Sequence, residues 1–493
     1  MSKKGIFVFL ALICLVVSFV YRNKYYWSYP PVADTFDEYA SSWLGLSLLR
    51  SGVPTSWSFL TVYKGAIVKD SKLDLVGTKI SVNNIVPTLE NYGSFPKPIS
   101  LTKEISLEGY KSHFDIVSPY LEHPPLGGII VGMPAYLGGI REFSEVTLSL
   151  IRKPFVLYGT FSTLLVIILS YLWYGKKVAV VSGLIYATVP TVIFGSRLAL
   201  PENVLTLMLL LEVVLLEYYR RTKKNYLVVM ALMISFAAPL VKLFGLSAAL
   251  IGIGYFIWII RNKRMALYFL GAGVASLVIY TAYGFFYDKN TFVAAAIYNG
   301  TRFFAGPTLL LTKILIPRVT KIFLDGWIFF GWMALFILAF AKENKHKALM
   351  IPVFSYLIGL MFFGGEDFGW YRLPLYPFLL IAAGYLIVEI IFKPDFFTGI
   401  LFLFTAFSTS LFWGIGIYNW VPYIFQYRLF ILVVIGVMSI SFITRTRKVQ
   451  FIQSGMLLTL FLVSVFLNTR IINNQQEVWK YMGDSTSLII GRQ

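Results

Sequence analysis

The sequence predicts an all-α polytopic membrane protein with about 13 transmembrane helices, and three properties of the chain support this fold class. Of the 493 residues, 57% are hydrophobic and 14% are charged, and the mean hydropathy is +0.72. Soluble domains carry about 25% charged residues. Many apolar runs approach or exceed the roughly 18 residues that mark a membrane span, and short basic clusters separate them. These properties exclude an ordinary soluble domain.

The net charge of +19 comes largely from Lys and Arg clusters between the apolar runs. This distribution follows the positive-inside rule of membrane proteins, so we expect no nucleic-acid partner. The single cysteine, Cys14, lies in the first apolar run, which excludes an internal disulfide and a Cys-based metal site. That first run has a basic start but a poor cleavage site, so we expect a retained anchor rather than a signal peptide.

The apolar runs predict 13 spans, and the basic clusters that separate them fix their orientation. The predicted spans are 5–20, 154–174, 178–195, 203–219, 226–241, 243–260, 265–286, 322–341, 348–364, 375–393, 396–414, 427–444 and 449–467. From Lys176 onward, two spans separate successive basic clusters, which places all of the clusters on one face of the membrane. The positive-inside rule makes that face cytoplasmic. We therefore predict a multi-pass protein of the cell membrane with a cytoplasmic N-terminus and an extracytoplasmic C-terminus.

This topology divides the chain into a transmembrane domain, 1–467, and a short extracytoplasmic tail, 468–493. Region 21–153 must begin and end outside, so it forms a large first extracytoplasmic loop with interfacial helices. Within it, 124–140 is short and rich in Gly and Pro; it could be an interfacial helix, a re-entrant segment or half of a hairpin with 143–152. Patches of alternating apolar and polar residues in 79–110 are typical of a small β-hairpin or cap.

Unusual polar residues occur in the loops that this topology places outside. They are Asp34, Asp37, Glu38, Glu122, His123, Arg197, Glu202, Asn203, Lys242, Tyr298, Arg302, Lys313, Arg318, Lys321, Glu366, Asp367, Tyr371, Arg372, Trp420, Gln426 and Arg428. Ionisable groups near a bilayer are costly and are often functional. Acids that can act as a general base, beside cations that can hold a phosphate, suit group transfer from an anionic lipid donor.

Each of these features also has a structural interpretation. Thr35 and Glu38 have the spacing of a capping box at a helix N-terminus, where Asp37 would favour the helix dipole. The sequence around His123, "HPPL", could simply start a helix, because Pro suits the first turn. Arg197 and Arg372 could extend toward the membrane interface as lipid-facing side chains.

Five segments, in order from about 34 to 380, carry a resemblance to a known family. "DEYASSWLGLSLLRSG" resembles the acidic segment after the first span of C-type (GT-C) membrane glycosyltransferases, in particular protein O-mannosyltransferases and the lipid A aminoarabinose transferase. "EHPPLGG" is similar to their H-P-P-L-G-K and E-K-P-P-L motifs, with Gly128 in the place of the final Lys. "VPTVIFGSRLALPEN", "PLVKLFG" and "WYRLPLYPFLL" resemble three further family segments.

The resemblance implies a GT-C fold and a hexosyl- or pentosyltransferase that uses a polyprenyl- or dolichyl-phosphate sugar donor. By the family pattern, Asp37 is the catalytic base and Glu38 supports it. The residues implied in substrate binding are Glu122, His123, Arg197, Glu202, Lys242, Tyr371 and Arg372, with the cations beside the donor phosphate. The acceptor would be a protein, lipid or glycan hydroxyl at the membrane surface.

The sequence requires no cofactor, although Asp37, Glu122 and Glu202 are chemically able to bind a divalent cation such as Mg²⁺ or Mn²⁺. The main alternative function is a polytopic transporter or flippase for a lipid or solute. Transporters place ionisable residues near the midplane, whereas here Glu212 is the only acid well inside a predicted span. A lipid-binding scaffold and an O-antigen-type ligase or polymerase are further alternatives.

Overall fold

A computed structural model describes residues 2–63, 99–300, 317–321, 323–341, 343–363, 368–416, 421–444 and 446–482. Helices account for most of this part of the chain, and every predicted apolar segment overlaps helical structure. The α-helices are α1 (Lys3–Asn23), α2 (Asp37–Ser51), α3 (Pro125–Leu137), α4 (Leu148–Tyr174), α5 (Lys176–Thr188), α6 (Pro190–Ser196), α7 (Pro201–Thr222), α8 (Asn225–Val241), α9 (Leu246–Gly254), α10 (Lys263–Gly300), α11 (Gly326–Ala339), α12 (Asn344–Phe363), α13 (Tyr376–Phe392), α14 (Phe396–Phe402), α15 (Ser408–Ile415), α16 (Ile424–Ile443), α17 (Arg447–Asn473) and α18 (Gln475–Tyr481).

The helices establish an integral membrane protein, but they do not confirm the predicted count of 13 spans. By length and composition, seven helices among the described residues can cross a membrane, or eight if the pair α5 and α6, bent by 65°, is one span. Other predicted spans are shorter; α8 has 17 residues and α11 has 14. The predicted span 243–260 consists of a 3₁₀ turn, α9 and a π-helical turn, Tyr255–Ile259.

Several basic clusters lie together at one end of the helix bundle. The Tyr174 hydroxyl is 3.1 Å from Nδ1 of His346. The Lys177 ammonium group is 3.5 Å from the centre of the Phe392 ring. The loops near 174–177, 343–347 and 389–393 therefore share one end, which we call the basic end. An α-helix rises about 1.5 Å per residue, so the 22 residues of α7 carry the chain some 33 Å from Thr222 near this end to Pro201 at the opposite end.

The first large loop contains a three-stranded antiparallel sheet in the order β1-β3-β2. The strands are β1 (Ser56–Trp57), β2 (Ile99–Leu107) and β3 (Tyr110–Ser118). Glu108 and Gly109 join β2 to β3 with φ angles of 52° and 85°, and a type I′ hairpin turn needs positive φ at both positions. A small β-hairpin is thus present, as predicted, but only β2 lies wholly within the predicted region 79–110, and β3 begins at the last residue of that region. The predicted cap also involved residues 64–98, which lie outside the described residues.

α3 forms a single helix in this loop and starts at Pro125, as the "HPPL" pattern predicted. Residues 148–152, part of the segment considered as the other half of a hairpin, form the start of α4. α3 lies directly against α2 through glycines. A Cβ atom on Gly128 would lie 2.7 Å from Leu44 Cδ2, and one on Gly132 would lie 2.6 Å from the Ser42 carbonyl oxygen. A lysine at 128, as in the related motif, would therefore not fit between these helices.

Aromatic side chains fix the other side of α2. Trp43 is fully buried, and its ring stacks on Phe143 with 4.8 Å between the ring centres. The Trp43 indole N–H donates to the Phe143 carbonyl oxygen at 3.1 Å. Phe114 of β3 contacts Trp43 edge-on, with 5.5 Å between the ring centres. α2 is thus held between α3 and the sheet, which sets the position of the acids at its first turn.

Candidate active site

A polar cleft lies at the end of α7 opposite the basic end, and six of the nine predicted site residues line it. These are Asp37, Glu122, His123, Glu202, Lys242 and Tyr371. They come from five separate parts of the chain: the start of α2, the segment before α3, the start of α7, the end of α8, and the 3₁₀ helix Gly369–Leu375. The predicted topology placed all five on one face of the membrane, and the structure brings them into one cleft.

Lys242 provides the cationic group of this cleft. It ends α8 with an extended backbone (φ −156°, ψ 144°), and a 3₁₀ turn follows at Leu243–Gly245. Its Nζ lies 3.3 Å from Oε1 of Glu202 and 3.5 Å from Nε2 of His123. It also lies 5.5 Å from the centre of the Tyr371 ring. Because Glu202 is fully buried and Lys242 is only 8% exposed, this ion pair holds the ammonium group at the cleft wall.

Asp37 is the first residue of α2 and is half-buried at the cleft. A carboxylate in the first turn of a helix is favoured by the partial positive charge of the helix N-terminus. The predicted capping box around it is wrong, because α2 has no side-chain cap. The Thr35 hydroxyl donates to the Pro31 carbonyl oxygen at 3.1 Å, and the Glu38 carboxylate binds elsewhere.

Glu38 does not line the cleft, although it follows Asp37 directly. Its Oε1 accepts from Nε of Arg152 at 2.8 Å and from the Ala199 N–H at 2.6 Å, and its Oε2 accepts from Nη2 of Arg152 at 2.5 Å. Both side chains of the ion pair are fully buried. Glu38 thus joins α2 to α4 and to the loop before α7, and its expected support of Asp37 stays a prediction. Sequence reasoning did not single out Arg152, whose only signal was a charge just before a span.

Arg197 also lies outside the cleft lining. It is fully buried, with Nη1 donating to Oε1 of Gln475 at 2.7 Å and Nη2 donating to the Tyr21 carbonyl oxygen at 2.6 Å. Its Nε donates to the Arg22 carbonyl oxygen at 3.2 Å. Each of the three guanidinium nitrogens donates within the protein, and Arg197 thereby ties the end of α1 to α18. The expected phosphate contact of Arg197 stays a prediction.

Arg372 is 2% exposed and follows Tyr371 in the 3₁₀ helix, but it is not part of the cleft lining either. The predicted acids Glu366 and Asp367, close to it in sequence, lie outside the described residues, as do Arg302, Lys313 and Trp420.

The segment that carries Glu122 and His123 is fixed by Tyr63. The Leu121 N–H donates to the Tyr63 hydroxyl oxygen at 3.1 Å. Burial raises the pKa of the Tyr63 hydroxyl well above its ordinary value, and the nearby Glu122 charge raises it further. The hydroxyl therefore stays neutral. Its hydrogen bond with the Leu121 N–H holds this segment beside the cleft.

Aromatic side chains form much of the remaining cleft wall, and sequence reasoning missed them. They are Trp57, Phe59, Tyr120, Phe368 and Trp370. Phe368 and Trp370 stack with 4.8 Å between their ring centres. With aromatics at 17% of the chain, no local signal separated these from lipid-facing residues. The space in this cleft that the centre of a water molecule can reach is about 40 Å³.

The cleft acids are spread around its wall rather than gathered at one point. Among the described residues, no group of three or more His, Cys, Asp or Glu side chains could hold a metal ion. Asp37, Glu122 and Glu202 do not form such a group. The neighbouring acid Asp34 accepts from the Trp479 indole N–H at 2.9 Å and is not part of the cleft lining.

The fold is similar to known GT-C glycosyltransferase structures. ArnT from Cupriavidus metallidurans in the apo state has a TM-score of 0.50 and 14% identity, and the match covers 96% of this chain and 78% of that chain. ArnT bound to undecaprenyl phosphate has a TM-score of 0.49 and 14% identity, with 96% and 79% covered. The oligosaccharyltransferase AglB from Archaeoglobus fulgidus, in complex with an inhibitory peptide and a dolichol-phosphate, has a TM-score of 0.47 and 13% identity, with 98% and 57% covered.

No family model and no curated protein sequence matches the chain. The similarity to the apo structure of ArnT shows the fold alone: this chain has a GT-C fold.

Proposed function

We propose that this protein is a membrane glycosyltransferase that moves a sugar from a polyprenyl- or dolichyl-phosphate donor to an acceptor hydroxyl. One observation carries the proposal: six residues chosen from the sequence for this chemistry, from five distant segments, line a single cleft. The GT-C fold shared with ArnT supports the same reaction class. The acceptor would be a protein, lipid or glycan, approaching from the extracytoplasmic side together with the lipid-anchored donor.

In the proposed reaction, Asp37 takes the proton of the acceptor hydroxyl while the hydroxyl oxygen attacks the anomeric carbon of the sugar. The bond between that carbon and the phosphate oxygen breaks, and the lipid phosphate leaves with the bonding electron pair. General-base assistance of this kind contributes about 10²- to 10⁴-fold to the rate. A single displacement inverts the anomeric centre, so the product should have the opposite configuration to the donor.

Lys242 is the group best suited to stabilise the departing phosphate. A positioned cation lowers the energy of a charge that develops in the transition state. Its Nζ lies between Glu202 and His123, so it can approach an anion without leaving its own carboxylate partner. Glu122, His123 and Tyr371 line the same cleft and would contact the donor phosphate and sugar. Glu202 acts through Lys242 and is a positioning residue.

The proposal is tested by incubating the purified, reconstituted protein with a panel of polyprenyl-phosphate sugars. We expect sugar release or transfer from at least one donor, with inversion at the anomeric carbon. Retention of configuration would refute the single displacement. Solute or lipid transport by proteoliposomes without any sugar donor would favour the transporter or flippase alternative, and donor binding without turnover would favour a lipid-binding scaffold.

A further inference from the structure

A second cavity, remote from the cleft, opens at the basic end of the bundle. It lies between residues 250–261 and α12 and has a volume of about 610 Å³. Most of its lining is apolar, including Ile253, Ile257, Trp258, Ile351, Phe354 and Ile358. We call this cavity the inner groove. Its size and apolar walls suit a hydrocarbon chain, because apolar surface is removed from water when such a chain lies along it.

Two local features of the backbone open the inner groove. A Cβ atom at Gly254 would lie 2.8 Å from Cγ2 of Ile351, so the glycine allows α9 to approach α12 closely. The following residues, Tyr255–Ile259, form a π-helical turn rather than continuing α9. Trp258 in this turn is 64% exposed. π-Helical turns are rare and often occur at functional sites.

Two cations, Arg261 and Lys347, complete the lining of the inner groove. Arg261 has a positive φ of 61°, which ends the helical segment and turns the chain at this point. Within the described parts of the chain, neither cation forms an ion pair. The acids nearby pair with other cations: Glu343 with Lys345 at 2.7 Å, Glu389 with Lys393 at 3.7 Å and Glu217 with Arg220 at 2.9 Å.

We propose that the inner groove is a binding site for an anionic phospholipid, with the phosphate between Arg261 and Lys347 and an acyl chain along the apolar wall. The charge of the two cations is complementary to a lipid phosphate, and the wall is complementary to its tail. Basic pockets between transmembrane helices bind anionic lipid headgroups on the cytoplasmic side. The predicted topology puts the basic end on that side, where the leaflet is negatively charged. This site is independent of the proposed transferase reaction.

The test measures the retention of phosphatidylglycerol and of phosphatidylcholine with identical acyl chains on the intact detergent-purified protein, by native mass spectrometry. We expect wild type to retain phosphatidylglycerol preferentially. In the double variant Arg261→Gln/Lys347→Gln, phosphatidylglycerol retention should fall by at least about fivefold. That is the effect expected from the loss of one basic residue near an anionic lipid headgroup. Phosphatidylcholine retention should not change. Lys347→Gln alone, on an exposed helix surface, should show a smaller loss in the same direction.

The matched control is Lys223→Gln/Lys224→Gln, which removes two exposed cations from the basic end outside the inner groove. It should leave phosphatidylglycerol retention within about twofold of wild type, because neither side chain lines the inner groove. An equal loss in this control, or equal retention of both lipids by wild type, would overturn the proposal. Competition by inorganic phosphate at the lipid concentration would also overturn it, since the site would then bind phosphate rather than lipid.

Discussion

Two buried ion pairs lie near the start of α2 and differ in how their carboxylates are used. The Glu38–Arg152 pair is fully buried, and both carboxylate oxygens accept hydrogen bonds, three in all. The Glu202–Lys242 pair has one contact, at 3.3 Å, and Lys242 faces the cleft with 10% of its side chain exposed. The Glu38–Arg152 pair is closed to solvent and holds helices together. The Glu202–Lys242 pair has its cation at a cleft, so Lys242 can also contact a ligand.

The same contrast separates two adjacent residues. Asp37 faces the cleft, whereas Glu38 points to α4 and the loop before α7. Successive residues on a helix point about 100° apart, so neighbouring acids face different surroundings. The acidic pair that suggested catalysis from sequence therefore combines one cleft acid with one structural anchor.

The largest expected effect on stability follows from breaking the buried Glu38–Arg152 pair. Glu38→Ala should lower the free energy of unfolding by about 3–5 kcal/mol, because it leaves Arg152 as an uncompensated buried charge. Thermal or denaturant unfolding in detergent measures this. The control Glu477→Ala breaks an exposed pair with Lys480 and should cost no more than about 1 kcal/mol. Equal losses in both variants would contradict the structural role of Glu38.

Substitutions in the Glu202–Lys242 pair should change the transfer rate as well as the stability. Lys242→Met should lower the transfer rate by about 10- to 100-fold, the usual strength of a hydrogen bond to a charged group. It should also destabilise the protein, because Glu202 then loses its partner. The double variant Lys242→Met/Glu202→Gln should recover stability without recovering activity. Recovery of both properties would show that Lys242 has only a structural role.

The packing of α2 on α3 gives a smaller effect. Gly128→Ala should cost about 1–3 kcal/mol, because the added methyl group would press on the Leu44 side chain. Gly271→Ala in α10 is the matched control, since a Cβ atom there meets nothing within 4 Å. We expect that control to be neutral or stabilising in unfolding measurements. A neutral Gly128→Ala would mean that α2 and α3 are not in close contact.

The smallest effect concerns Glu108, whose carboxylate accepts from the Leu148 N–H at 2.7 Å. Partial burial raises its pKa, and the nearby Glu38 charge adds to the rise while Arg152 opposes it. A carboxyl with a raised folded-state pKa stabilises the folded state as pH falls through that pKa, and this contribution is lost at higher pH. As the pH is lowered, the free energy of unfolding of wild type should therefore rise relative to that of Glu108→Gln, as measured by denaturant unfolding. A pH-independent difference would contradict this.

Much of the cleft could be predicted because its members share two simple signals. Lys242 and Glu202 are charges at the ends of apolar helices on one predicted face, and the family pattern added Asp37, Glu122, His123 and Tyr371. The partner of a buried charge could not be predicted in the same way. Arg152 is 114 positions from Glu38, and Gln475 is 278 positions from Arg197, so only the fold brings each pair together.

The predicted span count is not confirmed, for a related reason. Apolar composition predicts helices, but it does not show where a helix bends or changes type. The bend between α5 and α6, and the π-helical turn Tyr255–Ile259, interrupt runs that the sequence predicted as continuous spans. The break between α5 and α6 falls at Pro190, the first residue of α6.

The claim that Asp37, and not the neighbouring acids, is the general base is tested most directly by the transfer rate of Asp37→Asn. The stability of the same variant is measured by its unfolding. We expect the rate to fall by at least about 10²-fold, the contribution of a general base, while stability stays close to wild type. The control Asp34→Asn keeps an acceptor for the Trp479 indole and should transfer sugar normally. Normal transfer by folded Asp37→Asn would contradict the assignment of Asp37 as the base.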